Sequence, residues 1–165
     1  MESLAALQQL AYRYALAVDS RNIDDLVELF VPDVRVGRDQ TGRPALHEWF
    51  TATLRSSSMS IHTVANHIVD FDDAEHARGI VYCHDQLERP QSARWDTGNL
   101  QYWDSYVRLD GEWFFERRRF YRWYLVDALT RPSHGAGVND GSGPLRTGQL
   151  PDAFESWTRF WGGEP

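Results

Sequence analysis

Four side chains in this sequence are of types that could move a proton together: Tyr14, Asp19, His62 and Arg122. A histidine beside a carboxylate is the usual general base near neutral pH, because small environmental shifts keep its pKa poised there. A tyrosine hydroxyl can donate to a carbonyl or to a departing hydroxyl, and a guanidinium can stabilise negative charge as it develops. Each residue also has a structural reading. Tyr14 could be a core tyrosine whose hydroxyl reaches a backbone carbonyl. Asp19 could be a turn aspartate. Yet it stands at a helix C-terminus, the unfavourable end for a carboxylate, and this points to a partner such as a protonated histidine. His62 could be a satisfied structural histidine. Arg122 ends the run Arg117-Arg118-Arg119-Phe120-Tyr121-Arg122 and could belong to a solvated or salt-bridged face.

The elements that must position these residues follow from periodicity. Leu4, Leu7, Ala11, Tyr14 and Val18 recur at alternating steps of three and four, which predicts a helix over residues 3–20 with Tyr14 on its apolar stripe and Asp19 just beyond. Asn22 is placed to cap a second helix over Ile23–Phe30, which Pro32 ends. Val34–Gly37 could be a short strand, and Pro44 suits the first turn of a third helix over Ala45–Arg55. After Ser56-Ser57-Ser58 the period changes to two, predicting strands over Ile61–Phe71 and Gly79–Glu88. Leu100–Leu109 and Glu112–Val126 read as a hairpin around Asp110-Gly111. Helices grouped before strands mean an α+β fold. The long strands predict a strongly curved mixed or antiparallel sheet, with three N-terminal helices closing its concave face into a cone that encloses a pocket.

Strict alternation puts His62 and Asn66 on one face, which makes Asn66 a candidate substrate-binding residue, and His67 on the other; it puts Arg118 and Arg122 opposite Arg117 and Arg119. His84, co-facial with Tyr82, is a further pocket candidate, and Phe50, Tyr82, Trp103, Tyr106, Phe120 and Tyr124 are candidates for an aromatic lining that takes a hydrophobic substrate. His47, His76 and His134 read as loop or surface residues without a role. Residues 133–151, rich in Gly and Pro, read as a flexible tail or lid. A last amphipathic segment over Asp152–Trp161 carries Phe154, Trp157, Phe160 and Trp161, and should dock on the core or on a neighbouring subunit. The expected organisation is a domain over residues 1–130 and a tail over 131–165.

Composition narrows the function classes. The 165 residues are one domain's worth, and a hydrophobic share of 42% excludes a disordered chain. With 17 basic residues against 24 acidic ones, nucleic acid is not the expected partner. All the basic residues are Arg, so a Schiff-base lysine and a phosphate-loop lysine are excluded. A single cysteine, Cys83, excludes an internal disulfide and a cysteine-based zinc finger. No metal or nucleotide motif is present, so no metal and no cofactor is expected. The start MESLAALQQLAYRY has no signal-peptide pattern, and no apolar run approaches the roughly 18 residues of a membrane span. A soluble cytoplasmic protein without membrane contact is expected.

The stretch from Tyr14 to Phe30 followed by Pro32-Asp33-Val34, His62 leading a strand that ends Asp70-Phe71-Asp72, Gly79 in the next strand, and Tyr106 to Trp113 around Asp110-Gly111 together resemble the SnoaL-like proteins of the nuclear-transport-factor-2-like superfamily. The resemblance covers roughly residues 4–127. It implies the same cone. It also implies a lyase of the dehydratase kind, since scytalone dehydratase, the bile-acid dehydratase and hexachlorocyclohexane dehydrochlorinase belong to this superfamily. The five-residue spacing from Tyr14 to Asp19, His62 ten residues before Asp72, and Arg122 nine residues after Trp113 are similar to the bile-acid dehydratase. Asp19 and His62 resemble the dyad of the dehydrochlorinase, whose lysine has no counterpart here. The roles implied are His62 as base, Asp19 as its orienting carboxylate, Tyr14 as hydrogen-bond donor and Arg122 as charge stabiliser. The alternatives are an isomerase or cyclase on the same pocket, or a non-catalytic subunit like the small subunit of ring-hydroxylating dioxygenases. The related lyases imply a homo-oligomer, a trimer ahead of a dimer.

Overall fold

The computed structural model describes residues 2–89, 93–129, 137–138, 146–147 and 149–161. Helix α1 (Glu2–Ser20) buries Leu7, Leu10, Ala11, Tyr14, Ala15, Ala17 and Val18, a broader stripe than the one read from the sequence, and leaves Leu4 exposed. Arg21 adopts a left-handed φ of 58° where the chain turns. Asn22 then caps α2 (Ile23–Glu28), its side chain accepting the Asp25 backbone N–H at 3.3 Å. This helix stops two residues before the expected Phe30, because Phe30 leaves it to bridge Phe115. Two short antiparallel strands, β1 (Arg35–Val36) and β2 (Gln40–Thr41), precede α3 (Arg43–Leu54), which has Pro44 in its first turn.

Four long strands follow: β3 (Met59–Phe71), β4 (His76–Arg89), β5 (Arg94–Leu109) and β6 (Glu112–Asp127), each antiparallel to the next. Asp110 and Gly111, at φ 50° and 88°, form the left-handed turn between β5 and β6. β7 (Gly137–Val138) lies parallel to β6, and β8 (Arg146–Thr147) pairs antiparallel with β7, so the sheet is mixed with order β3-β4-β5-β6-β7-β8. The register slips by one residue in three places: between Val64 and His67 of β3, and on β6 opposite Asn99/Leu100 and opposite Ser105/Tyr106. Each extra residue increases local twist and bends its strand. Strands of 13 to 16 residues bent in this way curl around the helices.

The core lies between the helices and the concave face. Tyr14 sits at its centre, its ring centroid 5.5–6.2 Å from those of Phe30, Phe50, Tyr102 and Phe115. The helical layer is pinned to β6 where Val31 N–H donates to the Phe115 carbonyl at 3.0 Å and Phe115 N–H to the Leu29 carbonyl at 2.9 Å. On the convex side Phe154, just before α4 (Glu155–Trp161), packs against Trp103 and Trp123 with centroids 5.8 and 6.2 Å away. The aromatic end of the chain therefore docks on its own sheet. Of the segment 133–151 read as a tail or lid, residues 133–136, 139–145 and 148 lie outside the described residues, as does His134. No helix among the described residues is long and apolar enough to cross a membrane.

Candidate functional site

Helix α1 packs along β3, and Asp19, one residue from the end of the helix, reaches the start of that strand. Its Oδ2 accepts the His62 backbone N–H at 2.7 Å. Its Oδ1 lies 2.7 Å from His62 Nδ1 and accepts the Ser60 hydroxyl at 2.9 Å. An ionised carboxylate only accepts hydrogen bonds, so Nδ1 carries a proton and donates it, and in the neutral imidazole the lone pair is on Nε2. Among the described residues Nε2 has no hydrogen-bond partner. Arg21 braces the corner, donating through Nη1 to Ser60 Oγ and to the Val18 carbonyl, both at 2.7 Å, and through Nη2 to the Ser57 carbonyl at 3.1 Å. Burial pushes the Asp19 carboxyl up, but the hydrogen bonds from the His62 ring and backbone, the charge of His62 and the Ser60 hydroxyl outweigh it and hold the group below the usual carboxylate range.

His62 stands directly opposite Asp85 of β4. Opposite residues of an antiparallel pair project from the same face, so both side chains look into the concave side. Asp85 is fully buried and takes the Arg122 guanidinium in a two-pronged grip, Nη1 to Oδ1 at 3.0 Å and Nη2 to Oδ2 at 2.8 Å. The Arg122 backbone is tied down as well, its N–H donating to Gln149 Oε1 at 3.0 Å and its carbonyl accepting the Leu150 N–H at 2.9 Å. Phe120 shares this face, its ring centroid 5.7 Å from the Arg122 guanidinium carbon.

A second polar cluster lies deeper. Arg118 grips Asp104 through Nε and Nη2 at 2.9 and 2.7 Å, and its guanidinium carbon sits 4.1–4.2 Å from the ring centroids of Tyr14, Tyr102 and Phe115. The Tyr106 hydroxyl donates to Asp104 Oδ2 at 2.8 Å and lies 3.0 Å from His67 Nε2. Burial lowers the pKa of His67, so the ring is held neutral, with Asp104 opposing and Arg118 reinforcing the effect. Burial pushes the Tyr14 phenol up to about 12, against the opposing charge of Arg118, and pushes the Cys83 thiol, between the two clusters, up to about 12 as well. Tyr14 therefore remains a protonated donor at neutral pH, and Cys83 an unreactive thiol. Among the described residues no three His, Cys, Asp or Glu side chains are placed to hold a metal ion.

Of the residues chosen from the sequence, the structure brings Asp19 and His62 into contact and places Arg122 and Phe120 on the same concave face. Tyr14, Phe50 and Tyr106 are buried in the core behind them, and among the described residues Tyr14 makes no hydrogen bond to Asp19 or His62. Five expected lining residues face elsewhere. Tyr82, His84, Trp103 and Tyr124 occupy the alternate, convex positions of β4, β5 and β6; His84 Nε2 lies 2.9 Å from Thr97 Oγ1, and Asn99 Nδ2 donates to the Tyr124 hydroxyl. Asn66 is exposed because the bulge after Val64 reverses the alternation, and the same reversal turns His67 inward, opposite to the expected facing. Asp85, Asp104, Arg118 and His67 were not among the sequence candidates. Asp85 had a readable signal: it ends the period-two row Ala77, Gly79, Val81, Cys83, an apolar face that a carboxylate closes. Nothing such as Gly or Pro marks the bulge that inverts His67.

A cleft of about 320 Å³ crosses the convex face among Ile68, Arg78, Trp103, Arg117, Arg119 and Tyr121, and one of about 550 Å³ lies between α1 and α2.

The profile of the SnoaL-like domain matches residues 1–119. No curated protein matches the chain. Among solved structures, the chain is similar to hexachlorocyclohexane dehydrochlorinase LinA-type3 from Novosphingobium barchaimii, with 21% identity over 80% of this chain and 96% of that one and a TM-score of 0.70. It is similar to a protein from Novosphingobium aromaticivorans with the provisional name scytalone dehydratase, at 21% identity, 80% and 91% coverage and a TM-score of 0.68. A third similar structure, from the same organism and provisionally named an aromatic ring hydroxylase, shows 25% identity, 79% and 91% coverage and a TM-score of 0.62. These likenesses show a common fold. With the match over residues 1–119 and helices packed on a curved sheet, the chain belongs to the SnoaL-like domain family and has the NTF2-like α+β cone.

Proposed function

We propose that this chain is a small-molecule lyase that removes water from a hydrophobic hydroxylated substrate by general-base catalysis, without a cofactor. The observation that carries the reading is the double hold of Asp19 on His62, 2.7 Å to the ring Nδ1 and 2.7 Å to the backbone N–H. Such a hold fixes the tautomer and orientation of the imidazole and stabilises its protonated form, as a buried carboxylate does for other catalytic histidines. His62 Nε2 takes the proton next to a carbonyl or other activating group. Arg122 stabilises the oxygen on which negative charge develops. The leaving hydroxyl departs with a proton returned by the imidazolium. Tyr14, five residues before Asp19 on the same helix, is packed in the core behind the dyad, where it shapes the wall rather than holding the substrate. The names of two similar structures, a dehydrochlorinase and a scytalone dehydratase, denote eliminations, which supports the class of reaction.

The test is a mass-spectrometric screen of cyclic hydroxyketones and polyketide- or steroid-like alcohols for loss of one water. Conversion is expected in the wild type, with His62→Ala slower by about 10²–10⁴-fold, the usual contribution of a general base. A His62→Ala protein of full activity would refute the assignment.

A further inference from the structure

Resting on that reading, and deepening it, we propose that Arg21 is a positioning residue of the dyad: through the Ser60 hydroxyl it engages the same Asp19 oxygen that holds His62, and so keeps the imidazole free to accept a proton rather than locked in an ion pair. The backbone points to the side chain first. Arg21 N–H donates to the Val18 carbonyl at 3.2 Å and Asn22 N–H to the Ala17 carbonyl at 2.9 Å, the paired closure that ends a helix on a left-handed residue. Glycine is the usual residue there, yet the chain holds Arg21 at φ 58°. A strained position occupied by a long side chain directs attention to what that side chain does. Its Nη1 donates to the Val18 carbonyl and to Ser60 Oγ, both at 2.7 Å, and its Nη2 to the Ser57 carbonyl and hydroxyl at 3.1 and 3.3 Å. Ser60 is buried, and its one hydroxyl proton goes to Asp19 Oδ1 at 2.9 Å. That oxygen is also the one 2.7 Å from His62 Nδ1. The hydroxyl thus accepts from a cation while it donates to a carboxylate, which polarises it in one direction along the row Arg21, Ser60, Asp19.

The consequence is chemical. A carboxylate beside an imidazole favours the charged ring, and a ring that carries both protons cannot act as a base. Sharing Oδ1 with a hydroxyl backed by a guanidinium weakens that pull, while the 2.7 Å contact still fixes the ring. The charged and titratable groups around the dyad are Arg21 at the α1 end, Asp85 and Cys83 on β4, and Arg122 on β6, which grips Asp85. Cys83 stays uncharged at neutral pH. Arg55, just beyond α3, lines a cleft of about 300 Å³ together with Arg21, but among the described residues it makes no bond to Ser60 or Asp19. It is a nearby cation outside the row, and so a control.

The experiment is an NMR titration of the His62 ring in the full chain, in wild type, Arg21→Gly, Ser60→Ala, their double variant and Arg55→Gln. Glycine suits the left-handed backbone, so Arg21→Gly removes the guanidinium without straining the turn. Arg21→Gly and Ser60→Ala should each raise the His62 midpoint by about half a unit or more. The double variant should raise it by less than the two shifts added, because both act along one path. Arg55→Gln should leave it in place. Unchanged midpoints in Arg21→Gly and Ser60→Ala would reduce Arg21 to a helix-end tie and overturn the proposal. So would shifts that add in full, or a rise in Arg55→Gln as large as in Arg21→Gly. Should Arg21→Gly not fold, Arg21→Gln takes its place with the same expected rise. With a substrate from the water-loss screen, the acid limb of kcat/KM should move up with the midpoint, a loss of about threefold on that limb for half a unit, and KM above the midpoint should stay as in the wild type. The base reading fails separately, through a His62→Ala protein of full activity, whereas the role of Arg21 stands or falls on the midpoints.

Discussion

Asp19 and His67 show how two acid–base groups of one fold acquire opposite tasks. The Asp19 carboxylate is held ionised by donors, so its pKa lies below the unfolded value, and the stability it contributes is present above about pH 4 and lost as the pH falls through its folded value. His67 is held neutral by burial, so its folded pKa also lies below the unfolded value of about 6.5. The stability from the neutral ring is therefore complete above that pH and declines as the pH drops through the folded pKa. Urea midpoints measured from pH 7 to pH 5 should fall for the wild type and fall less for His67→Gln; equal slopes would show that His67 is not the group responsible. Asp19→Asn keeps the shape but offers an amide where the imidazolium needs a charge. It should lower turnover by about 10²–10⁴-fold while leaving substrate affinity within a few-fold, checked by separate kcat and KM values. The type and spacing of Asp19 and His62 were legible in the chain because α1 ends where β3 begins to pass beneath it. That Asp85 faces inward was readable from its period-two row, but its place opposite His62 was not, since a cross-strand partner depends on a register that no local pattern encodes.

At the scale of elements the long strands owe their curvature to inserted residues. The bulge in β3 turns Val64 and His67, three residues apart, to the same face, and alternation resumes with His67 and Val69 inward. Removing Ala65 takes out the extra residue, so strict alternation then leads from Val64 to His67 with both still inward and the Tyr106 hydroxyl keeps its partner. The expected result is cooperative unfolding with a loss of no more than about 3 kcal/mol, the usual range for a single change, measured by calorimetry. Loss of cooperative unfolding would mean that the bend made by the bulge, and not only the facing of His67, holds β3 on the core. The C-terminal aromatic segment is the other element whose placement can be tested. Phe154→Ala removes a ring from between Trp103 and Trp123 and should cost about 3 kcal/mol, with a change in tryptophan fluorescence. Helix existence and the Asp110-Gly111 hairpin were readable from period and turn chemistry. The facing of Tyr82, His84, Trp103 and Tyr124 was not, because one strand face is half-buried by helices and the other half-buried by the chain's own end, so both faces carry large aromatic side chains.

Taken as a whole, the molecule places two forked ion pairs, Arg118–Asp104 and Arg122–Asp85, on the inner wall of its cone, where apolar residues would pack without a desolvation cost. Replacing one partner alone, as in Arg118→Met, should destabilise the protein by about 3–5 kcal/mol because it strands a buried carboxylate. The paired change Arg118→Met with Asp104→Leu should recover much of that loss; a double variant no more stable than the single would show that the pair itself, not the stranded charge, holds the wall together. The Arg122–Asp85 pair lies on the face that His62 also shares, since Asp85 is the residue opposite His62 in the sheet. The most direct test is the protonation pattern of the His62 ring at neutral pH, read by ¹⁵N-edited NMR of the imidazole. The account predicts a protonated Nδ1 bound to Asp19 and a bare Nε2, a lone pair ready to accept a proton. A ring protonated on Nε2 instead would contradict it, since that tautomer could not serve as the base.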